Sequence, residues 1–319
     1  MEITHTLLED VPGFIQVYED GFVARFDHRL TPASPQVASD GARSKDVVID
    51  PVKGISARLF LPAELPLAQK LPLLFYFHGG GFCIGTTAWE GYHLFLSLLA
   101  ATTRALVISV DYRLAPEHRL PAAYDDCFDA VEWVASGGGK AEPWLDAHAD
   151  YGRCFLAGES AGGNIAHVVG SRTADQDLGP LKIRGLIVIH PYFGSEERIE
   201  CEKVAAGDDA AALELNDLFW RLALPPGSDR DYPTCNPRGP RSADLRKVPL
   251  PPVLVTVAGL DLLKTRGLLY YELLQSCGKE AELMEAEGEI HAYHVFHPRS
   301  EATRLLQERM SQFIHRFDA

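Results

Sequence analysis

The chain has 319 residues at 35.1 kDa, with 46% hydrophobic and 23% charged side chains. These are ordinary globular values, and they exclude wholesale disorder, collagen-like repeats and a coiled-coil rod. Thirty basic against forty-four acidic side chains leave a net charge of −14, which speaks against nucleic acid or an anionic membrane surface as partner.

A small-molecule substrate suits that balance better. The length suits one α/β domain over residues 1–319, built around a single large sheet. The six cysteines show no C-x-x-C pair and no zinc-type spacing with histidine, so they are expected as free thiols. The opening residues MEITHTLLEDVPGF lack a basic n-region with an apolar stretch behind it, and no apolar run approaches the ~18 residues of a membrane span. The expected address is cytoplasmic, with the nucleus as an alternative, and the expected state is a monomer or weak homo-oligomer without a membrane partner.

Residues 1–45 are mixed in pattern, interrupted by Pro12, Pro32 and Pro35. Val47-Val48-Ile49 and Ala57-Arg58-Leu59-Phe60, separated by Pro51 and Gly54, predict a hairpin. Buried strands are expected at Leu71 to Phe77, Ala105 to Val110, Cys154 to Ala157, Gly185 to His190, Val253 to Ala258 and Leu283 to Ala286. Helical spacing runs through Trp89 to Thr102, Ala122 to Ala135, Gly163 to Thr173, Thr265 to Cys277 and Glu301 to Phe317. Continuous apolar strands alternating with amphipathic helices predict a mostly parallel sheet with helices on both faces. Residues 194–240, with a short helix at Glu214 to Leu222 and a Pro/Gly-rich stretch, interrupt the alternation. An insertion of that length reads as a cap over a site or as a surface excursion.

The chemistry centres on Gly158-Glu159-Ser160-Ala161-Gly162, between an expected strand and an expected helix. A strand-to-helix turn of this type presents a strained serine at a helix N-terminus, so Ser160 is the candidate nucleophile. His78-Gly79-Gly80-Gly81 follows another strand. Its uncovered N–H groups suit a tetrahedral oxyanion, with Gly79, Gly80 and Ala161 as candidate donors and His78 as a structural histidine that orients the loop. A serine needs a base, and the base needs a carboxylate. Asp261 ends a late strand and is the candidate acid, the alternative being an N-cap for the helix that follows; Asp208, Asp209 and Glu159 are weaker. His291 follows the last strand and is the candidate base ahead of His294, while His167 reads as packed. No metal or cofactor site is indicated.

With these residues in place the chain resembles the hormone-sensitive-lipase-like branch of the α/β-hydrolase fold, and within it the plant carboxylesterases, relatives of the gibberellin receptor. The matching pieces are His78 to Phe82, Asp111-Tyr112-Arg113-Leu114-Ala115-Pro116-Glu117-His118, Pro121 to Asp126, Gly158 to Asn164, Gly259 to Leu263 and the segment around His291. The resemblance implies a serine carboxylesterase with Ser160, Asp261 and His291 as triad, Gly79, Gly80 and Ala161 as oxyanion hole, and residues 1–45 as part of a lid. Glu159 stands where these plant proteins commonly have Asp. The receptor branch replaces the histidine, and other relatives act as dehydratases or cyclases, so a hormone-type receptor and a recruited elimination or cyclisation are the alternatives.

Overall fold

The computed structural model describes residues 6–26, 28–65, 69–208 and 210–317. The segment that reads as mixed forms three short antiparallel strands, β1 (Leu7–Val11), β2 (Ile15–Tyr18) and β3 (Val23–Arg25). Val11, Ile15 and Val17 are buried, whereas Phe22 and Phe26 stay 50% and 43% exposed, so only part of the segment's apolar set packs away. Arg25 fastens it to the body: its guanidinium donates to both oxygens of Glu117 at 2.6 Å and to the carbonyls of Cys83 and Ala115.

The hairpin appears as β4 (Ala42–Asp50) and β5 (Ile55–Pro62). The chain then alternates through β6 (Leu71–Phe77), α1 (Glu90–Thr103), β7 (Leu106–Asp111), α2 (Ala122–Ala135) and the short helices α3 (Gly137–Ala141) and α4 (Pro143–His148). β8 (Ala149–Glu159), α5 (Ala161–Thr173) and β9 (Ile183–Ile189) follow, and α6 (Glu200–Asp208) and α7 (Ala210–Ala223) fall within the 194–240 stretch. The last elements are β10 (Val253–Ala258), α8 (Lys264–Ser276), β11 (Ala281–Ala286), α9 (Tyr293–Phe296) and α10 (Glu301–His315).

Eight strands form the main sheet in the order β4-β5-β7-β6-β8-β9-β10-β11, parallel from β7 to β11 with β4 and β5 antiparallel at one edge. Strand β6 shows why its sequence lacks alternation: all seven residues are buried, because both faces are covered. Leu73, Phe75 and Phe77 join a core with side chains of α2, α5 and α8, while Leu74 and Tyr76 join a second core with α1 and α10. Helix α10 places Leu306, Met310, Phe313 and Ile314 on one stripe and is capped by Ser300, whose hydroxyl accepts from the Thr303 N–H.

Register positions the site. Phe77 pairs with Gly158, so the glycine run after β6 emerges beside Glu159 and Ser160 after β8. Ala258 pairs with Ala286, which sets the loops carrying Asp261 and His291 next to each other. All of these lie at the carboxyl edge of the parallel strands, where open α/β sheets bind ligands.

Candidate active site

Ser160 takes φ 56° and ψ −120°, in the left-handed half of backbone space that a side chain disfavours. Its surroundings hold it there. Its N–H donates to the Ile189 carbonyl and its carbonyl accepts from Tyr192 N–H, each at 2.9 Å. Gly162 is required for close approach: a Cβ there would lie 1.8 Å from the Phe77 carbonyl oxygen. The serine lines a cavity of about 650 Å³ shared with Asp261, His291 and the glycines of the 79–81 loop.

The Nδ1–H of His291 donates to Asp261 Oδ2 at 2.7 Å, leaving the other ring nitrogen as the basic face. Asp261 Oδ1 accepts from the Leu263 N–H at 2.8 Å. One Asp261 oxygen therefore meets the histidine and the other the Leu263 N–H ahead of α8, whose N-cap is Leu263 itself rather than Asp261. Burial alone would raise the Asp261 carboxyl, but the charge and hydrogen bond of His291 hold it below its ordinary value. Burial works against a charged His291 too, and the Asp261 charge and hydrogen bond overcome it, so His291 titrates above its ordinary value.

The competing histidines are elsewhere. His294 is fully buried beside Phe95, and burial, aided by the charge of His291, pushes it down to about 3. His167 packs against Tyr270, with its Nδ1 2.9 Å from the phenol oxygen, and burial lowers it to about 4. His78 stacks on Tyr112 at 4.3 Å and its Nδ1 donates to the Gly79 carbonyl, the structural part expected of it. Among the described residues one set of three possible metal ligands converges, His190, Asp261 and His291, with ligand atoms within 4.8 Å. The Asp261–His291 hydrogen bond and His190 packed 5.9 Å behind it account for that spacing.

One expected donor is corrected. The Gly79 N–H is already committed, to Glu159 Oε1 at 2.5 Å and to the Tyr92 hydroxyl at 3.1 Å. An N–H held between two acceptors on its own chain is not free to meet a substrate oxygen. The next two N–H groups, of Gly80 and Gly81, continue the loop along the cavity, and Ala161 begins α5, where first-turn N–H groups have no intrahelical partner.

Glu159, ranked low from sequence, is the residue that organises this loop. It is fully buried, and its carboxylate accepts from Gly79 N–H, from Tyr92 at 2.6 Å and from Tyr76. Burial raises it to about 7, against the pull of these donors. A carboxylate ending an apolar strand has to find buried donors, and that is the sequence signal that marks it. Asp208 ends α6, and Asp209 lies outside the described residues.

A model of the alpha/beta hydrolase fold matches residues 74–295. The chain belongs to that family, within its plant carboxylesterase group. The hydrolase is 43% identical over 293 residues to Tuliposide A-converting enzyme 1, chloroplastic, of Tulipa gesneriana, covering 90% of this chain and 72% of that one. It is 38% identical to Probable carboxylesterase 6 of Arabidopsis thaliana, covering 98% and 93%. It is 36% identical to 2-hydroxyisoflavanone dehydratase of Glycyrrhiza echinata, covering 96% and 95%. Among solved structures, the esterase of Pyrobaculum calidifontis aligns with a TM-score of 0.71 at 32% identity, over 85% of this chain and 84% of that one.

The expected cytoplasmic address is overturned by these relatives, since the tulip proteins are named as chloroplastic or amyloplastic. Reduced thiols, on which the expectation leaned, do not separate the two compartments. No helix among the described residues is long and apolar enough to cross a membrane.

Proposed function

We propose that this esterase-like hydrolase is a serine carboxylesterase acting on a small-molecule ester. The observation that carries the reading is the Asp261–His291 hydrogen bond in the same cavity as a serine held at positive φ. In this reading Asp261 fixes the His291 tautomer, and the free ring nitrogen takes the Ser160 proton as the serine attacks the ester carbonyl. The N–H groups of Gly80, Gly81 and Ala161 receive the oxyanion, with the α5 dipole behind Ala161. His291 then protonates the leaving alcohol, and a water activated by the same nitrogen releases the acid from Ser160.

The segments 1–45 and 194–240 serve as lid and cap. In support, Val11, Phe14 and His28 from the first and Leu215, Asn216 and Phe219 from the second line the cavity, and the Glu9–Arg221 ion pair at 3.0 Å links them. A plastid address is the one the names of the tulip relatives support. The test is labelling by a fluorophosphonate and turnover of p-nitrophenyl butyrate. Wild type should be labelled at Ser160 and turn over repeatedly, and Ser160→Ala should lose both with an unchanged melting temperature.

A second reading, elimination by the same dyad, is favoured by the similarity to the dehydratase. A protein that labels at Ser160 yet turns over no ester, while dehydrating a β-hydroxy ketone, would decide for it. Stoichiometric acylation or ligand binding without turnover would instead favour the receptor alternative.

A further inference from the structure

We propose that Phe219 of α7 limits the acyl group, so that the substrates are esters of a compact acid with a larger apolar alcohol; this rests on the esterase reading above. The two sides of the ester are assigned by chemistry. His291 must protonate the leaving alcohol, so the alcohol lies on the His291 side of Ser160. There the cavity is edged by Leu260, Ile290 and Phe296, which are 68%, 47% and 60% exposed. This apolar lip opens to solvent and leaves room for a bulky alcohol.

The acyl chain must leave the carbonyl on the other side, past the N–H groups of Gly80 and Gly81. At that point the ring of Phe219 lies directly on the loop: a Cβ built on Gly81 would sit 2.5 Å from Phe219 Cγ. The wall beyond is closed. Tyr192 stacks on Trp220 at 4.4 Å and 8°, Phe82 lies 5.6 Å from Trp220, and all three are at most 3% exposed. Tyr192 is also tied at both ends, its N–H to the Ser160 carbonyl and its hydroxyl to the Asn216 carbonyl at 2.6 Å. Neither Tyr192 nor the rings stacked behind it can give way without disturbing the serine turn. The half-buried Phe219 is the wall element that a longer acyl chain has to displace.

The experiment measures kcat/KM on p-nitrophenyl acetate, butyrate, hexanoate and octanoate. A methylene that does not fit is worth about 10-fold or more in discrimination. Wild type should therefore fall at least ~10-fold between butyrate and octanoate. Phe219→Ala should raise the octanoate-to-acetate ratio about tenfold, and Phe219→Trp should lower the butyrate-to-acetate ratio. The tryptophan variant keeps the aromatic contact with Gly81 and carries the test if the alanine variant does not fold. A flat wild-type profile, or ratios unmoved by both substitutions, overturns the proposal while leaving the esterase reading intact. Wild type inert to all four esters and unlabelled by a fluorophosphonate overturns both.

Discussion

Replacing Glu159 by glutamine tests whether a buried charge one residue before Ser160 holds the proposed oxyanion loop. The variant preserves the shape of the side chain and removes only the charge. Glu159 Oε1 receives two donors, Gly79 N–H and the Tyr92 hydroxyl, so the amide oxygen would occupy that position. The amide NH2 then faces the Tyr76 hydroxyl, donor against donor, and that hydroxyl has to turn towards His294 Nε2, 3.3 Å away. A hydrogen bond to a charged acceptor contributes about 1.5–3 kcal/mol and a neutral one about 1 kcal/mol, so the Gly79 contact weakens by ~1–2 kcal/mol. Expressed as misalignment of the neighbouring Gly80 and Gly81 donors, that is roughly 5–30-fold in kcat at alkaline pH.

The pH dependence gives a sharper readout. Glu159 titrates at about 7 rather than 4.5 because burial disfavours its anion. A carboxyl raised in this way contributes stability in full below its unfolded value and loses it as pH rises through 7, by about 3 kcal/mol. Wild type should accordingly soften between about pH 4.5 and 7 by thermal melting and level off above that, and Glu159→Gln should lose that part of the slope. The negative charge of Glu159 also raises His291, so its removal should move the acid limb of kcat/KM to lower pH. With Glu159 ionisation no longer required, the limb should also be less steep. Glu159→Asp keeps the charge on a shorter arm and should recover part of the rate. A glutamine variant with the wild-type rate, limb position and melting slope would refute the argument outright.

Asp261→Asn should lower kcat by about 10⁴-fold through the wrong His291 tautomer, with a small change in melting temperature because the amide oxygen can still accept from Leu263 N–H. His291→Ala should abolish turnover, whereas His294→Ala should act mainly on stability, read by melting, since His294 is fully buried against Phe95 of α1. Deleting residues 1–26 removes the Arg25–Glu117 and Glu9–Arg221 ties as well as Val11 and Phe14 from the cavity, so KM should rise by more than the melting temperature falls. Gly162→Ala should yield no folded protein, while Gly288→Ala, which has open space around it, should express and melt normally.

Much of this architecture is legible in the sequence because the signals are local. β6, α2 and β10 begin and end where the apolar runs and their flanking glycines and prolines place them. The elbow is legible for the same reason, since a strand, G-x-S-x-G and a helix are contiguous. The small N-terminal sheet is not legible: its strands are three to five residues long, and β1 buries only its last residue, so no period emerges. The choice between Gly79 and Gly81 is not local either. Three adjacent glycines are equivalent until β6 pairs with β8 and brings the Glu159 carboxylate onto the first of them.

The same division separates reaction from substrate. The groups proposed to break the bond sit within five residues of the ends of β6, β8, β10 and β11, and any sequence that builds this sheet brings them together. The cavity walls come from Phe14, Trp89, Phe219 and Phe296, far apart in sequence and on four different segments, with no period relating one to another. Only the first set has to be retained to keep the fold and the nucleophile. A wall residue such as Phe219 packs on Gly81 and on the core behind it and takes no part in the Asp261–His291 hydrogen bond. Relatives named for a converting enzyme, a carboxylesterase and a dehydratase show that one family carries differently named activities. The proposed acyl limit rests on the contact between α7 and the glycine loop, which makes the acyl-length profile of the Phe219 variants more informative about substrate choice than any further substitution among the strand-end residues.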